Sequence, residues 1–446
     1  MKLNAKRISS AARLLGRYGF ALALAAMGTV AHAQVKAYVC DGFDADDVTL
    51  ESRTDLRFSA DKQTVTIGTM SFNVAEVDSI IFTKPQFPCV DISWEGATPV
   101  VTVSPGITGI TKTVSGGHVT INSSNVTDEI LYRLHGTSTD GSLTINGDYK
   151  MTLHLDGVSL TSTKGAALDI ECGKRIEMKL MKGTVNSFVD KANGAQKAAV
   201  YTKGHLEIKG RGTLNVTGRT KHALAAKEYL RFKPSTGTVN ILSAVSDGIH
   251  CGKGISTKAD YENTRFIMDG GEINVAKCGS DCIDSDDYGS AIINDGVLTL
   301  NVNQVDGAGL KCDSVLYMNG GTINATVSGA IANGIRFGWD AQMKGGLYKA
   351  EVSGAGAKGI KAKKSTKTTD TVRNGGNCHL QGTGVELTVT GGTYTADLSK
   401  CVGVRVDANL YQTAGSLSVS VKNGAALGLE VKGEDLKTGG QRAITN

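Results

Sequence analysis

Short alternations of apolar and polar residues, separated by glycine-rich corners, recur along the chain from about Val100 onward. Ile273-Asn274-Val275, Leu298-Thr299-Leu300-Asn301-Val302 and Ile323-Asn324-Ala325-Thr326-Val327 each follow a corner, at Gly270-Gly271, Asp295-Gly296 and Gly320-Gly321 respectively. Alternation with period two is the pattern of a strand with one buried face. Ahead of each corner lies a second kind of strand: Ser246-Asp247-Gly248-Ile249, Ser280-Asp281-Cys282-Ile283, Gly309-Leu310-Lys311 and Gly334-Ile335-Arg336. No stretch of the repeat carries a helical period.

The apolar residue after the small one serves as a marker: Leu168, Val200, Leu224, Ile249, Ile283, Leu310, Ile335, Ile360, Val404 and Leu429. Successive spacings are 32, 24, 25, 34, 27, 25, 25, 44 and 25 residues. A strand takes about 5–6 residues, so each unit holds strand, corner, strand, corner and strand. Such a unit cannot bury its apolar face alone and must stack on its neighbours. The expected fold is all-β, a parallel β-helix. The longer spacings mark polar insertions, chiefly at 252–265 and 363–384, and long loops on a rigid scaffold often carry function.

The first 100 residues differ. Lys2, Lys6, Arg7, Arg13 and Arg17 precede an apolar run from Gly19 to Val30, and Ala31-His32-Ala33 is a small-residue cleavage site. Residues 1–33 are expected to be a secretory signal cleaved after Ala33, which places the product in the periplasm, at the cell surface or outside the cell. The run is too short to span a bilayer, and no later segment could do so. Residues 34–100 alternate without the repeat, as in Thr64-Val65-Thr66-Ile67, and are expected to form a small N-terminal β module. Pro85, Pro88 and Pro99 mark its end. Residues 101–446 are the expected solenoid.

Removing the five basic leader residues leaves 43 basic and 43 acidic groups. Neutrality and export argue against nucleic acid as a partner. The balance is uneven, with net −6 over residues 34–128 and +6 over residues 336–446. Nine cysteines give an odd count; Cys278 and Cys282 have the spacing of a zinc half-site but no matching His/Cys pair nearby, and Cys251 and Cys312 fall at equivalent inward positions.

Two constellations could carry chemistry. Asp247, Asp281 and Asp284 fall on adjacent coils, with Asp286, Asp287 and Asp306 as weaker companions. Coils stack about 4.8 Å apart, so these carboxylates can converge on a cation that prefers oxygen ligands, such as calcium. The second is the column one residue after each marker: Asp169, Tyr201, Ala225, His250, Asp284, Lys311, Arg336, Lys361, Arg405 and Glu430. Four successive coils present Lys, Arg, Lys and Arg. Like charges stacked in a sheet repel, and a bound uronate polymer would relieve that repulsion. Lys311, Arg336, Lys361 and His250 are therefore candidate glycan contacts, with Trp339 as a candidate exposed sugar platform.

The segments Met151–Leu168 and Ala199–Gly218, with Leu155-Asp156-Gly157-Val158-Ser159-Leu160 and Leu206-Glu207-Ile208-Lys209-Gly210-Arg211-Gly212-Thr213-Leu214-Asn215-Val216, resemble a family of secreted bacterial carbohydrate-binding β-helix proteins that are polysaccharide-lyase-like. The likeness runs from about Val119 to Gly346. It implies a right-handed parallel β-helix, bound calcium and affinity for plant-type polysaccharides. Ala332-Asn333-Gly334 and Ala357-Lys358-Gly359 have lost the repeat aspartate, which separates the later coils from any metal site. A lyase would need a base near the sugar C5 proton; Asp284 with Lys311, His250 and Arg336 supplies the parts. A hydrolase would need two carboxylates about 5–9 Å apart, as Asp281 with Asp306 could provide. Neither set is a specific motif, so no catalytic residue is assigned. The expectation is a polysaccharide binder, selective for acidic glycans and assisted by calcium. A pectate-lyase-like enzyme and an adhesive β-helix are the alternatives.

Overall fold

The computed structural model describes residues 3–4, 36–50, 55–83, 85–96, 98–252, 264–286, 289–364 and 375–445. The leader's apolar run and cleavage site, Asp287, most of the 252–265 insertion and residues 365–374 of the 363–384 insertion lie outside these residues. The chain divides into two compact units, Met1–Pro88 and Cys89–Asn446.

The first unit is built from antiparallel pairs. Lys36–Asp41 pairs with Asp44–Thr49 and with Ser79–Ile81, and Thr64–Ile67 lies between Leu56–Phe58 and Met70–Asn73. The period-two residues Val65 and Ile67 face a small core with Ala37, Val39, Val48, Val77 and Ile80.

The second unit is a parallel β-helix. It starts earlier than the break expected after residue 100, because Val90–Trp94 already pairs in parallel with Tyr132–Gly136. Val100–Val103 folds back antiparallel on Val90–Trp94. One sheet then runs in parallel register from Gly117–Ser123 through His222–Ala226, Ile249–Cys251, Ile283–Ser285, Ala308–Cys312, Asn333–Phe337, Lys358–Ala362 and Val402–Val406 to Leu427–Val431. The other two strands of each coil form the second sheet system, where each strand pairs with its counterpart one coil on. No helix among the described residues is long and apolar enough to cross a membrane.

Stacking puts like on like. The markers pair directly, as in Ile249↔Ile283, Ile283↔Leu310, Leu310↔Ile335 and Ile335↔Ile360, and these side chains are at most 1% exposed. Asparagines stack too: Asn240 Nδ2 donates to Asn215 Oδ1 at 2.9 Å, and Asn274 Nδ2 to Asn240 Oδ1 at 3.1 Å. The Gly-Gly corners have a backbone reason. Gly271 and Gly321 adopt φ of +88° and +71°, a region that side-chain-bearing residues rarely enter.

Leu310 has no exposed surface and lies between Ile283 and Ile335. Leu310→Ala is expected to destabilise the solenoid by about 2–5 kcal/mol, measured as a lowered urea midpoint. Because coils couple mainly to their neighbours, hydrogen exchange should rise first in the coils around residue 310.

Candidate functional site

The column one residue after the markers is in register along its whole length. Asp169↔Tyr201, Tyr201↔Ala225, Ala225↔His250, His250↔Asp284, Asp284↔Lys311, Lys311↔Arg336, Arg336↔Lys361, Lys361↔Arg405 and Arg405↔Glu430 all pair across adjacent coils. Arg405 keeps register despite the 44-residue spacing.

A second set of side chains joins this column from the position two residues before each marker, which is a corner residue just ahead of the strand or the first strand residue of each coil. In chain order these positions hold His222, Asp247, Asp281, Ala308, Asn333 and Lys358. Asp247, Asp281 and Asp284 converge, offering oxygens within 4.8 Å of one another, and all three are buried. His222 and His250 complete the group around Asp247. Their rings stack at 4.3 Å with planes 14° apart, and their Nδ1 atoms lie 3.1 and 3.2 Å from Asp247 Oδ2. The backbone N–H of Asp281 donates to Asp247 Oδ1 at 3.2 Å, and Ala308 N–H donates to Asp281 Oδ1 at 2.7 Å.

The cations of the ladder fold onto these carboxylates. Lys311 Nζ lies 3.0 Å from Asp284 Oδ1, 3.6 Å from Asp281 Oδ2 and 3.7 Å from Asp286 Oδ1. Arg336 reaches Asp281 at 3.8 Å and Asp306 at 3.6 Å. Three of the expected glycan contacts, His250, Lys311 and Arg336, therefore belong to a charge-compensated cluster and do not stand free.

The electrostatics follow from this packing. Burial opposes the charge on Asp247, but hydrogen bonds from His222 and His250 outweigh it and hold the carboxyl far below its ordinary range. Burial also opposes the charge on His250, yet Asp247 and Asp284 push its imidazole up to about 9. Burial raises Asp281 to about 6, with Arg336 pulling the other way. Lys311 resists burial because Asp284 and Asp281 hold it cationic. That is the reverse of the lowered proton affinity a lyase base at Lys311 requires.

Further along the axis the sign changes. Lys358 stands where the earlier coils carry Asp247 and Asp281, and it is 4% exposed, with its Nζ donating to Gly356 O. Lys361, next on the column, makes no hydrogen bond or ion pair among the described residues. Burial, then Lys358 and Arg336, lower its ammonium to about 8. These lysines line a cleft of about 270 Å³ with Lys363, Arg405, Asp306, Asp397 and Asp407. Arg405 is engaged by Asp407 at 3.5 Å and Glu430 at 3.6 Å.

Trp339 is not an exposed platform. It is 9% exposed, in a corner tied to both neighbouring coils: its backbone N–H donates to Ser314 O, and its carbonyl accepts from the backbone N–H of Gly376, which precedes the strand Asn377–Leu380. Phe337 is fully buried, as its inward position requires. His222 and Lys358 were not anticipated as site residues. The signal was present: Lys221-His222-Ala223-Leu224 and Ala357-Lys358-Gly359-Ile360 align with Ser246-Asp247-Gly248-Ile249.

A family model described as carbohydrate-binding domain-containing protein matches residues 115–425. A protein of that same description from Acetivibrio thermocellus is 26% identical over 136 residues, covering 28% of this chain and 48% of the relative. The chain thus spans about half the length of that curated relative. A solved structure described as the polysaccharide lyase-like protein from C. thermocellum, a gadolinium derivative, aligns over 80% of this chain and 100% of its own, with a TM-score of 0.34 and 16% identity.

Asp247→Ala removes the carboxylate beside His222 and the acceptor of the Asp281 N–H, and leaves His250 with Asp284 alone, at 3.6 Å. It is expected to cost about 3–5 kcal/mol. Asp286→Ala, at a half-exposed carboxylate 3.7 Å from Lys311, should change stability by about 0.5 kcal/mol or less. Paired urea denaturations check the contrast.

Proposed function

The chain belongs to the carbohydrate-binding domain-containing protein family, and from that premise we propose that it is exported and binds an acidic, uronate-containing polysaccharide without cleaving it. The observation that carries this reading is the cationic cleft. Burial lowers the ammonium groups of both Lys358 and Lys361, with Arg405 adding to the first and Lys358 and Arg336 to the second, and Lys361 makes no ion pair among the described residues. A carboxylate of the ligand would relieve that repulsion. Lysine serves as a point charge for such a group, needing proximity more than a fixed angle.

Calcium fits the upper cluster by its donor set. Asp247, Asp281 and Asp284 offer buried carboxylate oxygens, and like carboxylates at this separation favour a divalent cation. Bound there, calcium would supply positive charge where Lys311 and Arg336 otherwise supply it, freeing those two side chains toward a glycan. Asp247, Asp281 and Asp284 would hold the ion; Lys311, Arg336 and Lys361 would face the polymer.

Gel retardation in polygalacturonate, with calcium and with a chelator, tests both parts. Retardation that weakens on chelation is the expected result, while a neutral glucan gel should retard the protein little. Equal mobility in all gels would overturn the acidic-glycan reading, and release of unsaturated products would replace binding with a lyase reaction.

A pH series adds a residue-specific prediction. The ammonium of Lys361 is charged below about 8 and lost above it. Affinity for the polyanion should be flat between about pH 6, above which Asp281 is ionised, and about pH 8, and fall above that, by at most about tenfold per unit. Lys361→Arg stays charged and should remove the decline. Lys361→Ala should weaken binding at every pH below 8.

A further inference from the structure

Cys278 and Cys282 take no part in the glycan reading, yet they bracket one of its carboxylates. They flank Gly279, Ser280 and Asp281 in the corner between the strands Glu272–Val275 and Ile283–Ser285. Their side chains are 3% and 0% exposed. The two sulfurs face each other at 3.3 Å.

The rest of the corner is tied to its neighbours. The N–H groups of Gly279 and Ser280 both donate to Ser246 O, at 2.9 and 3.1 Å, and Gly248 N–H donates to Asp281 O at 2.9 Å. Gln304 Nε2 donates to Cys278 Sγ at 3.3 Å, and Cys282 Sγ to Asn301 O at 3.4 Å. These contacts hold the two sulfurs facing each other from both adjacent coils.

We propose that Cys278 and Cys282 oxidise to a disulfide that closes the corner around Asp281 and fixes that carboxylate beside Asp247. The sulfurs need to approach only from 3.3 Å to about 2.05 Å. Two S–H bonds break and one S–S bond forms. Two electrons and two protons pass to a disulfide acceptor, oxidised glutathione or a thiol–disulfide oxidoreductase, whose own S–S bond is cleaved to two thiols. The bridge is a positioning element. With the corner closed, the Asp281 N–H stays on Asp247 Oδ1 and the Asp281 carboxyl stays on Ala308 N–H.

The bridge itself rests on the sulfur geometry alone, so its test needs neither metal nor glycan. The full chain, purified without reductant and incubated with oxidised glutathione, is denatured in an alkylating reagent and digested. The fragment holding residues 278–282 should appear unalkylated and about 2 Da lighter than the dithiol, and should take up two alkyl groups only after reduction. Alkylation of both cysteines without reduction, or a bridge from either one to a third cysteine, would overturn the proposal.

The positioning role has its own readout. Reduction of the folded chain should speed amide exchange across 279–282 by about tenfold, and reductant should have no such effect on a Cys278→Ser variant. Unchanged exchange on reduction would show that the bridge does not hold the corner. Loss of retardation in polygalacturonate with an intact bridge would instead count against the glycan reading.

Discussion

Registered stacking is the constraint on which the rest of this structure depends. Each coil hydrogen-bonds to the next in parallel, so every side chain sits about 4.8 Å from its equivalent one coil away. Apolar residues gain from this, as the buried marker stack does. Asparagines gain by donating amide to carbonyl along the stack. Charges gain only if their signs alternate or a ligand intervenes. The site residues are therefore not an independent constellation placed on a scaffold. They are what the stacking rule produces when ionisable residues occupy the repeat.

That rule also explains what the sequence disclosed. Strand positions follow period two, so counting one residue past each marker located His250, Asp284, Lys311, Arg336 and Lys361 on one line, and the convergence of Asp247, Asp281 and Asp284 followed from coil spacing. His222 and Lys358 open their strands two residues before the marker, on the parity that period two assigns to the core, and only the alignment of one repeat on another shows that they stand where Asp247 and Asp281 do. Trp339 lies in a corner outside the strands, where period two assigns no face. Long side chains are a further difficulty. The sequence shows Lys311 and Arg336 as ladder steps, but whether they reach outward or fold onto Asp284 and Asp281 is decided by distances between coils. Prolines mark a break in local pattern, not in stacking: Val90–Trp94, ahead of Pro99, already pairs in parallel with the next coil.

The near-neutral composition conceals two opposite environments on one face. Around Asp247 the charges compensate one another inside the protein, with His250, Lys311 and Arg336 against three carboxylates. Around Lys361 compensation is incomplete, and burial with neighbouring cations holds the ammonium charge down. The first environment suits an ion that displaces internal partners. The second suits an anion that supplies a missing one. Two repeated positions distinguish them: the one two residues before the marker changes from Asp247 and Asp281 to Lys358, and the column position from Asp284 to Lys361.

The 44-residue spacing between Ile360 and Val404 leaves the register of Lys361 with Arg405 intact. In a solenoid, extra chain leaves at a corner and returns to the same stacking position, so the cross-section is unaffected. Evolution can thus edit this molecule along two separate axes. Duplicating a coil lengthens the face by one step without altering the chemistry of any other step. Lengthening a corner decorates one step without shifting the rest. A globular site, whose residues come from unrelated elements, has no such freedom: there, an insertion of this size would need the whole pocket to be rebuilt.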